Sequence, residues 1–209
     1  MERRAVSSAM EIVGDGEAKK LVGYAAVFYR NGDPQTEYRF KIKTQSGRPR
    51  EVVERIEKRA FDGVESDNDV VGLVNHDPNK ILGRVGAGTM RLQVDDKGLR
   101  YEIDLPNTPE GLAIAESVRR GDISGSSFSF NTKSGGEKWA AADGGVELRT
   151  LTSVKVLDVG PVTFPAYKGT SVASRADGDS GDADRSYEAW QRTRREIEVR
   201  SRLVSLDSE

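Results

Sequence analysis

The chain has 209 residues, of which 36% are hydrophobic and 32% charged, and its formal net charge is -2. This length suits one domain with a core and an appended segment, and the balanced charge gives no global basic field for nucleic acid. The chain has no cysteine, which excludes disulfides, thiolate metal sites and a cysteine nucleophile, and no apolar run is long enough to span a membrane. Residues 1–4 lack an apolar signal core behind them, so we expect a cytoplasmic product. Any imidazole chemistry must pass through the single histidine, His76.

Alternating or apolar runs in the first half of the chain predict a strand-rich fold. Residues 21–28 form an apolar run typical of a strand, and residues 30–34 have the composition of a loop. Further strands are predicted at residues 38–43, 51–57, 70–74 and 81–85.

The clearest hairpin pattern consists of two alternating runs, residues 89–94 and 99–105. The turn sequence at residues 95–98 separates them. Its last residue, Gly98, is expected to adopt the positive φ that such turns require.

A helix is predicted next. Thr108 suits the N-cap and Pro109 the first helical position, because its missing N–H has no partner there in any case. Gly121 suits the C-terminal end of this helix. The helix therefore leads directly into a serine-rich run.

That run, residues 125–131, has the period of two that is typical of a half-buried strand. We expect Phe128 and Phe130 to face a core and Ser127 to lie on the opposite face. The remaining elements are predicted as a glycine-rich loop at residues 134–145 and strands at 146–151 and 154–159.

Composition divides the chain into four parts. Residues 1–20 form a polar N-terminal segment, and residues 21–175 one folded domain. Residues 176–185 are acidic and broken by glycines, which predicts a flexible linker. Residues 186–209 return to helix formers with an apolar stripe, which predicts an amphipathic helical tail that docks elsewhere because it is too short to hold a core.

A serine can act as a nucleophile at neutral pH when a base lies within hydrogen-bond reach of its hydroxyl. His76 is the only histidine, so the pair would be His76 with a serine from residues 124–129. Asp158 and Asp77 are the candidate acids that would orient the imidazole. A surface histidine in a turn, a polar strand face and a solvent-facing Asp158 are the alternative interpretations.

Two familiar hydrolase arrangements do not fit this sequence. The Gly-x-Ser-x-Gly motif needs a helix after the serine and a histidine late in the chain, whereas here a strand follows and His76 comes first. The order of chymotrypsin, histidine then acid then serine, fails if Asp158 is the acid. The order His76, serine, Asp158 indicates another class.

With this order and these surroundings, the sequence resembles the prohead maturation proteases of HK97-type tailed phages, serine proteases of the same broad class as the herpesvirus assembly proteases. The resemblance covers roughly residues 21–175. The stretches that carry it are Asn-His-Asp with the residues around it at 74–84, the turn at 95–99, the run at 119–130 and the segment at 157–167.

The resemblance implies that His76 is the general base, Ser127 the nucleophile and Asp158 the third member of a triad. It also implies an oxyanion hole near Ala166 and Tyr167. The fold implied is a β-rich α+β fold, an antiparallel β-barrel surrounded by a few helices as in the herpesvirus proteases. This sequence departs from the family at three places: Asp158 where glutamate is more frequent, Ser129 where glycine is usual, and Gly160-Pro161 where a less rigid pair is usual.

The implied function is serine endopeptidase activity during prohead maturation, on the scaffolding part of the major capsid protein and on the protease itself. The implied location is the assembling phage prohead in the host cytoplasm, with self-association as a dimer or larger assembly. No cofactor, metal, nucleic acid or membrane partner is expected.

Three other classes of protein are alternative interpretations of the sequence. A non-catalytic structural or scaffold component that retains the barrel is the main alternative, because of Ser129 and Asp158. A nucleic-acid-binding barrel would need aromatic residues on an exposed basic face, whereas Phe128 and Phe130 are predicted to face away from Ser127. A metallohydrolase would have to rely on carboxylates, since the chain has one histidine and no cysteine.

Overall fold

The structure is a computed structural model and describes residues 1–6, 10–14, 19–43, 49–142 and 145–165. Short 3-10 helices lie at Pro34–Thr36, Lys58–Phe61 and Val64–Ser66. The single α-helix of the described residues is α1 (Pro109–Arg120). The strands are β1 (Glu2–Val6), β2 (Glu11–Val13), β3 (Lys20–Val27), β4 (Tyr38–Lys43), β5 (Pro49–Ile56), β6 (Val71–Leu73), β7 (Ile81–Arg84), β8 (Met90–Val94), β9 (Gly98–Asp104), β10 (Gly125–Thr132), β11 (Glu137–Ala141), β12 (Glu147–Leu151) and β13 (Val154–Val162).

These strands form three sheets. The five-stranded sheet has the order β1-β10-β13-β6-β7, and the two four-stranded sheets have the orders β11-β12-β5-β4 and β2-β3-β9-β8. Most pairs are antiparallel, but β13 pairs with β6 and β12 with β5 in parallel. The β-rich fold class is confirmed. None of the three sheets closes on itself within the described residues, so the barrel and the likeness to herpesvirus proteases stay predictions.

Strong local signals produce α1 as predicted. The Thr108 side chain accepts a hydrogen bond from the backbone N–H of Gly111, and Pro109 occupies the first helical position. Gly121 ends the helix in the left-handed conformation with a φ of 78°. The helix buries Ala115 and Val118, and it delivers the chain to β10.

The β8–β9 hairpin forms as predicted, but the expected positive φ at Gly98 is wrong. Gly98 lies at the start of β9, where a Cβ would come within 2.0 Å of the carbonyl oxygen of Ala26. The glycine is therefore required by the close approach of β3, and the turn is closed instead by the Asp95 side chain, which accepts from the backbone of Lys97 and Gly98.

β10 is buried on both faces, so the prediction of a half-buried strand is wrong. Its residues from Gly125 to Phe130 are all buried, on both faces of the strand, and β10 is an internal strand paired with β1 and β13. Phe128 and Phe130 are in the core as predicted, with ring centroids 5.0 Å apart, and Phe61 meets Phe128 edge-on. Burying each such ring contributes roughly 1.5–3 kcal/mol.

One further segment differs from its prediction. Residues 137–141, predicted as part of a loop, form β11, an exposed edge strand paired with β12. The polar segment 1–20 contributes β1 to the sheet of β10 and β2 to the sheet of β3. The predicted linker at 176–185 and tail at 186–209 lie outside the described residues. In the described part, no helix combines the length and apolar character needed to cross a bilayer.

Candidate active site

Ser127 lies in β10, the second strand of the five-stranded sheet, and is only 2% exposed. Its partner across the β10–β13 ladder is Gly160. A Cβ at Gly160 would lie 2.0 Å from the carbonyl oxygen of Leu73, the last residue of β6. Only glycine allows β6 to approach β13 this closely, and this approach brings the residues after β6 next to the serine strand.

His76 reaches Ser127 through the turn that follows β6. Asn75 and His76 both have left-handed backbone, with φ values of 54° and 57°, a conformation that Asn and His tolerate better than most residues. The backbone N–H of Asn75 donates to Pro161 O at 3.0 Å, and its side-chain oxygen accepts from the N–H of Thr163 at 2.8 Å. The turn is thus fixed to the end of β13, and His76 Nε2 lies 2.7 Å from Ser127 Oγ.

Asp158 lies on the far side of the imidazole, with its Oδ1 2.5 Å from His76 Nδ1. The register of β10 against β13 shifts between Val156 and Asp158, so Leu157 is an extra residue that forms a bulge. The bulge places Asp158 on the face that carries Ser127 while Val156 stays in the core. Asp158 is 2% exposed, so a solvent-facing position is wrong.

Asp77, the other candidate acid, makes its hydrogen bonds within the turn that follows β6. Its Oδ1 accepts from the backbone N–H of Asn79 at 2.9 Å and from the Asn79 side chain at 3.1 Å. Its own N–H donates to the carbonyl of Val74 at 3.0 Å. These bonds close the turn that carries the imidazole, and the carboxylate that meets the ring is Asp158.

Ser127, His76 and Asp158 therefore form one continuous hydrogen-bonded chain. When an ionised Asp158 accepts the proton on Nδ1, neutral His76 has its lone pair on Nε2, where the Ser127 hydroxyl donates. A buried serine with an oriented base in direct reach is suited to nucleophilic attack on a carbonyl. Carboxylate, imidazole and hydroxyl stand in the order that acyl transfer requires.

The comparison with protein families decides the class. Residues 6–183 match the family described as caudovirus prohead serine protease. The chain belongs to this family. Neither a curated protein nor a solved structure matches it significantly. The predicted family is confirmed. Membership makes the chain a phage serine protease of capsid maturation. It implies contact with phage capsid proteins, inside the phage capsid that assembles in the host cell.

One buried contact of Asp158 was not predicted from the sequence. Ser129 Oγ donates a hydrogen bond to Asp158 Oδ2, and Ser129 is 0% exposed. In the sequence, Ser129 stands where the family usually has glycine. Its position two residues after Ser127, and therefore on the same strand face, was the available signal.

An unpredicted ion cluster lies behind the serine. Ser127 Oγ is also 2.9 Å from the carbonyl oxygen of Arg4, to which its hydroxyl can donate instead of to the imidazole. Arg4 Nε donates to Glu54 Oε1 at 2.6 Å, and Arg149 Nη1 donates to Glu54 Oε2 at 2.8 Å. Burial raises the pKa of Glu54, with the two arginines acting against it. At Glu2, burial is outweighed by the hydrogen bonds and charges of Arg149 and Arg4, and the pKa falls to about 2.

The predicted oxyanion-hole residues, Ala166 and Tyr167, lie outside the described residues. The described chain ends one residue earlier, at Pro165, which packs on the start of β10. A Cβ at Gly125 would meet the Pro165 ring at 2.5 Å. The segment before Ala166 therefore runs next to the strand that carries Ser127.

Proposed function

We propose that the chain is a serine endopeptidase in which Ser127 is the nucleophile, His76 the general base and Asp158 the residue that orients the imidazole. The observation that carries the proposal is the pair of distances, 2.7 Å from Ser127 Oγ to His76 Nε2 and 2.5 Å from His76 Nδ1 to Asp158 Oδ1. Membership of the prohead serine protease family supports the same reaction class.

The reaction begins when Ser127 Oγ attacks the carbonyl carbon of a peptide bond and its proton passes to His76 Nε2. The tetrahedral intermediate collapses, the C–N bond breaks, and the imidazolium gives its proton to the leaving amine. Water then attacks the acyl-enzyme with His76 again as the base, which releases the acid and restores the Ser127 hydroxyl. Asp158 holds the proton on His76 Nδ1 throughout and stabilises the imidazolium when it forms.

Backbone N–H groups are the natural donors to the oxyanion of the intermediate. Those of Ala166 and Tyr167 are the candidates that we propose. The packing of Pro165 against Gly125 supports this choice, because it brings the chain that precedes Ala166 alongside β10.

The substrate that we propose is the scaffolding part of the phage major capsid protein, together with the protease itself. Self-association as a dimer or larger assembly would concentrate the enzyme inside the prohead, in the host cytoplasm. Family membership supports the choice of capsid proteins as the class of partner.

A non-catalytic structural role is less well supported. It was favoured by two departures from the family, Ser129 and Asp158, which taken separately weaken the site. The two residues are in contact, and Asp158 reaches the imidazole directly. The departures are thus compatible with a working triad.

A fluorophosphonate probe tests the nucleophile without knowledge of the substrate. Such a probe phosphonylates an activated serine, and peptide mapping by mass spectrometry identifies which one. We expect modification of Ser127 in the wild type and its loss in Ser127→Ala and His76→Ala. Ser126→Ala is the matched control, because Ser126 is an adjacent buried serine whose Oγ bonds Tyr101 instead. Modification of Ser124, Ser126 or Ser129 in place of Ser127 would contradict the assignment.

For residues 176–209 we propose a docking role, on the basis of their composition alone. A chain that ends at Arg175 should then retain cleavage of the capsid protein in solution but lose incorporation into particles. Particles purified from cells that express each form would be analysed for protease content. Equal incorporation of the two forms would contradict a docking role for this segment.

A further inference from the structure

Ser129 and Asp158 face each other on neighbouring strands. They are register partners in the antiparallel β10–β13 ladder, directly before the bulge, and their side chains share the face that carries Ser127. Their exposed fractions are 0% and 2%. Ser129 Oγ donates to Oδ2 of Asp158, within a region that excludes water.

Each oxygen of the Asp158 carboxylate therefore has its own donor. Oδ1 meets His76 Nδ1 at 2.5 Å, and Oδ2 meets the Ser129 hydroxyl. A buried carboxylate oxygen without a donor is costly, and a carboxylate held at one oxygen can rotate about its Cβ–Cγ bond. The Ser129 hydroxyl satisfies the second oxygen and fixes that rotation.

We propose that Ser129 is a positioning residue for catalysis, which holds the Asp158 carboxylate in the orientation that keeps the proton of His76 on Nδ1. This inference rests on the proposed function, because it assigns Ser129 a role through Asp158 and His76. Ser129 itself does not touch the reacting atoms. Its removal should lower the rate of the chemical step and leave binding of small probes unchanged.

The strand offers a matched control. Ser126 is also 0% exposed, and its Oγ lies 2.7 Å from the hydroxyl of Tyr101. Ser126→Ala and Ser129→Ala both delete one buried hydroxyl from β10, but only Ser129→Ala removes a donor to Asp158. A purely structural contribution of the hydroxyl should affect both variants similarly.

The kinetic test is the rate of inactivation by a fluorophosphonate, resolved into its maximal rate and its half-saturating concentration. We expect Ser129→Ala to lower the maximal rate about 10- to 100-fold with little change in half-saturation, as for loss of one hydrogen bond to a charged group. Ser126→Ala should stay within about threefold of the wild type. If Ser129→Ala does not fold, Ser129→Thr and Ser129→Val replace it, since they are nearly equal in shape and only threonine retains the hydroxyl.

A second readout uses the single histidine. In the ¹⁵N-histidine-labelled full chain, every ring nitrogen signal belongs to His76. We expect the wild type and Ser126→Ala to show the tautomer protonated at Nδ1, and Ser129→Ala to show a mixture of tautomers. A merely structural role of Ser129 would leave these signals unchanged.

Wild-type inactivation rate and tautomer in Ser129→Ala, or in Ser129→Val where that replaces it, would overturn the inference. Ser127→Ala, measured alongside, separates this failure from failure of the proposed function. An unreactive Ser127→Ala with a fully active Ser129→Ala rejects only the positioning role. A reactive Ser127→Ala rejects the proposed nucleophile as well.

Discussion

The carbonyl oxygen of Arg4 lies 2.9 Å from Oγ of Ser127. Arg4 is in the edge strand β1, and its guanidinium forms the buried ion pair with Glu54. One residue therefore contacts both the Ser127 hydroxyl and the charge cluster that joins β1 to β5. Strand β1 thus lies directly against Ser127.

Replacing Arg4 by methionine should strongly destabilise the protein. Arg4→Met retains the backbone carbonyl but leaves Glu54, which is 0% exposed, with fewer positive partners. Breaking a buried ion pair at one side costs about 3–5 kcal/mol. Urea unfolding followed by circular dichroism measures the change.

Arg39→Met is the matched control for this change. Arg39 pairs with Glu37 at 2.9 Å, but its side chain is 53% exposed. Exposed pairs contribute about 0–1 kcal/mol, so this variant should unfold close to the wild type. Equal losses of unfolding free energy in the two variants would show that the buried ion cluster stabilises the protein no more than an exposed pair does.

Glu2 gives the protein a defined sensitivity to acid. The pKa of Glu2 in the folded protein is lowered to about 2 from a usual value of 4.5. A lowered folded pKa means that the stabilisation is fully present above the unfolded value and is lost as pH falls from about 4.5 toward 2. Glu2→Gln should therefore flatten the fall in unfolding free energy over this range.

The measurement is a series of urea unfolding curves between pH 5 and pH 3, with Glu116→Gln in the exposed face of α1 as the control. The control should follow the wild type at every pH. A Glu2→Gln variant that loses stability as steeply as the wild type would contradict the ion cluster as described.

Gly160 should be intolerant of any side chain. Its φ is 155°, and a Cβ would lie 2.0 Å from Leu73 O, so Gly160→Ala must push β6 away from β13. We expect a loss of about 3 kcal/mol or more in the free energy of unfolding, as for severe overpacking. Reactivity of Ser127 toward a fluorophosphonate should fall as well, because His76 follows β6.

Gly88→Ala separates the steric effect from the backbone effect. Gly88 has a φ of 71°, but no atom lies within 4 Å of the position of its Cβ. The control should therefore lose only about 1 kcal/mol, the cost of a left-handed backbone. A Gly160→Ala variant no less stable than Gly88→Ala would contradict this, because it would show that β6 and β13 can separate at little cost in free energy.

Local signals predicted the elements whose determinants are close in sequence. The ends of α1 follow from Thr108, Pro109 and Gly121, each of which acts on its own turn of helix. The failures involve contacts distant in sequence. Gly98 is fixed by β3 rather than by its turn, and β10 is an internal strand because β1, which begins more than a hundred residues earlier, pairs with it.

The site shows the same division. The single histidine limited the base to His76, and the family resemblance then singled out Ser127 and Asp158, which the residues alone had left among several serines and two acids. The bulge at Leu157 and the backbone of Asn75 and His76, which bring them together, depend on pairing between strands and have no local signature. The contact between Ser129 and Asp158 likewise follows from register, and it joins two residues that looked like separate departures from the family.

The most direct test of the account is co-expression with the major capsid protein of the same phage, with intact mass as the readout. Wild type, Ser126→Ala, His76→Ala and Ser127→Ala would be compared. We predict a trimmed capsid protein with the first two and a full-length one with the last two. Trimming by Ser127→Ala, or full-length capsid protein in assembled shells with the wild type, would contradict the central claim.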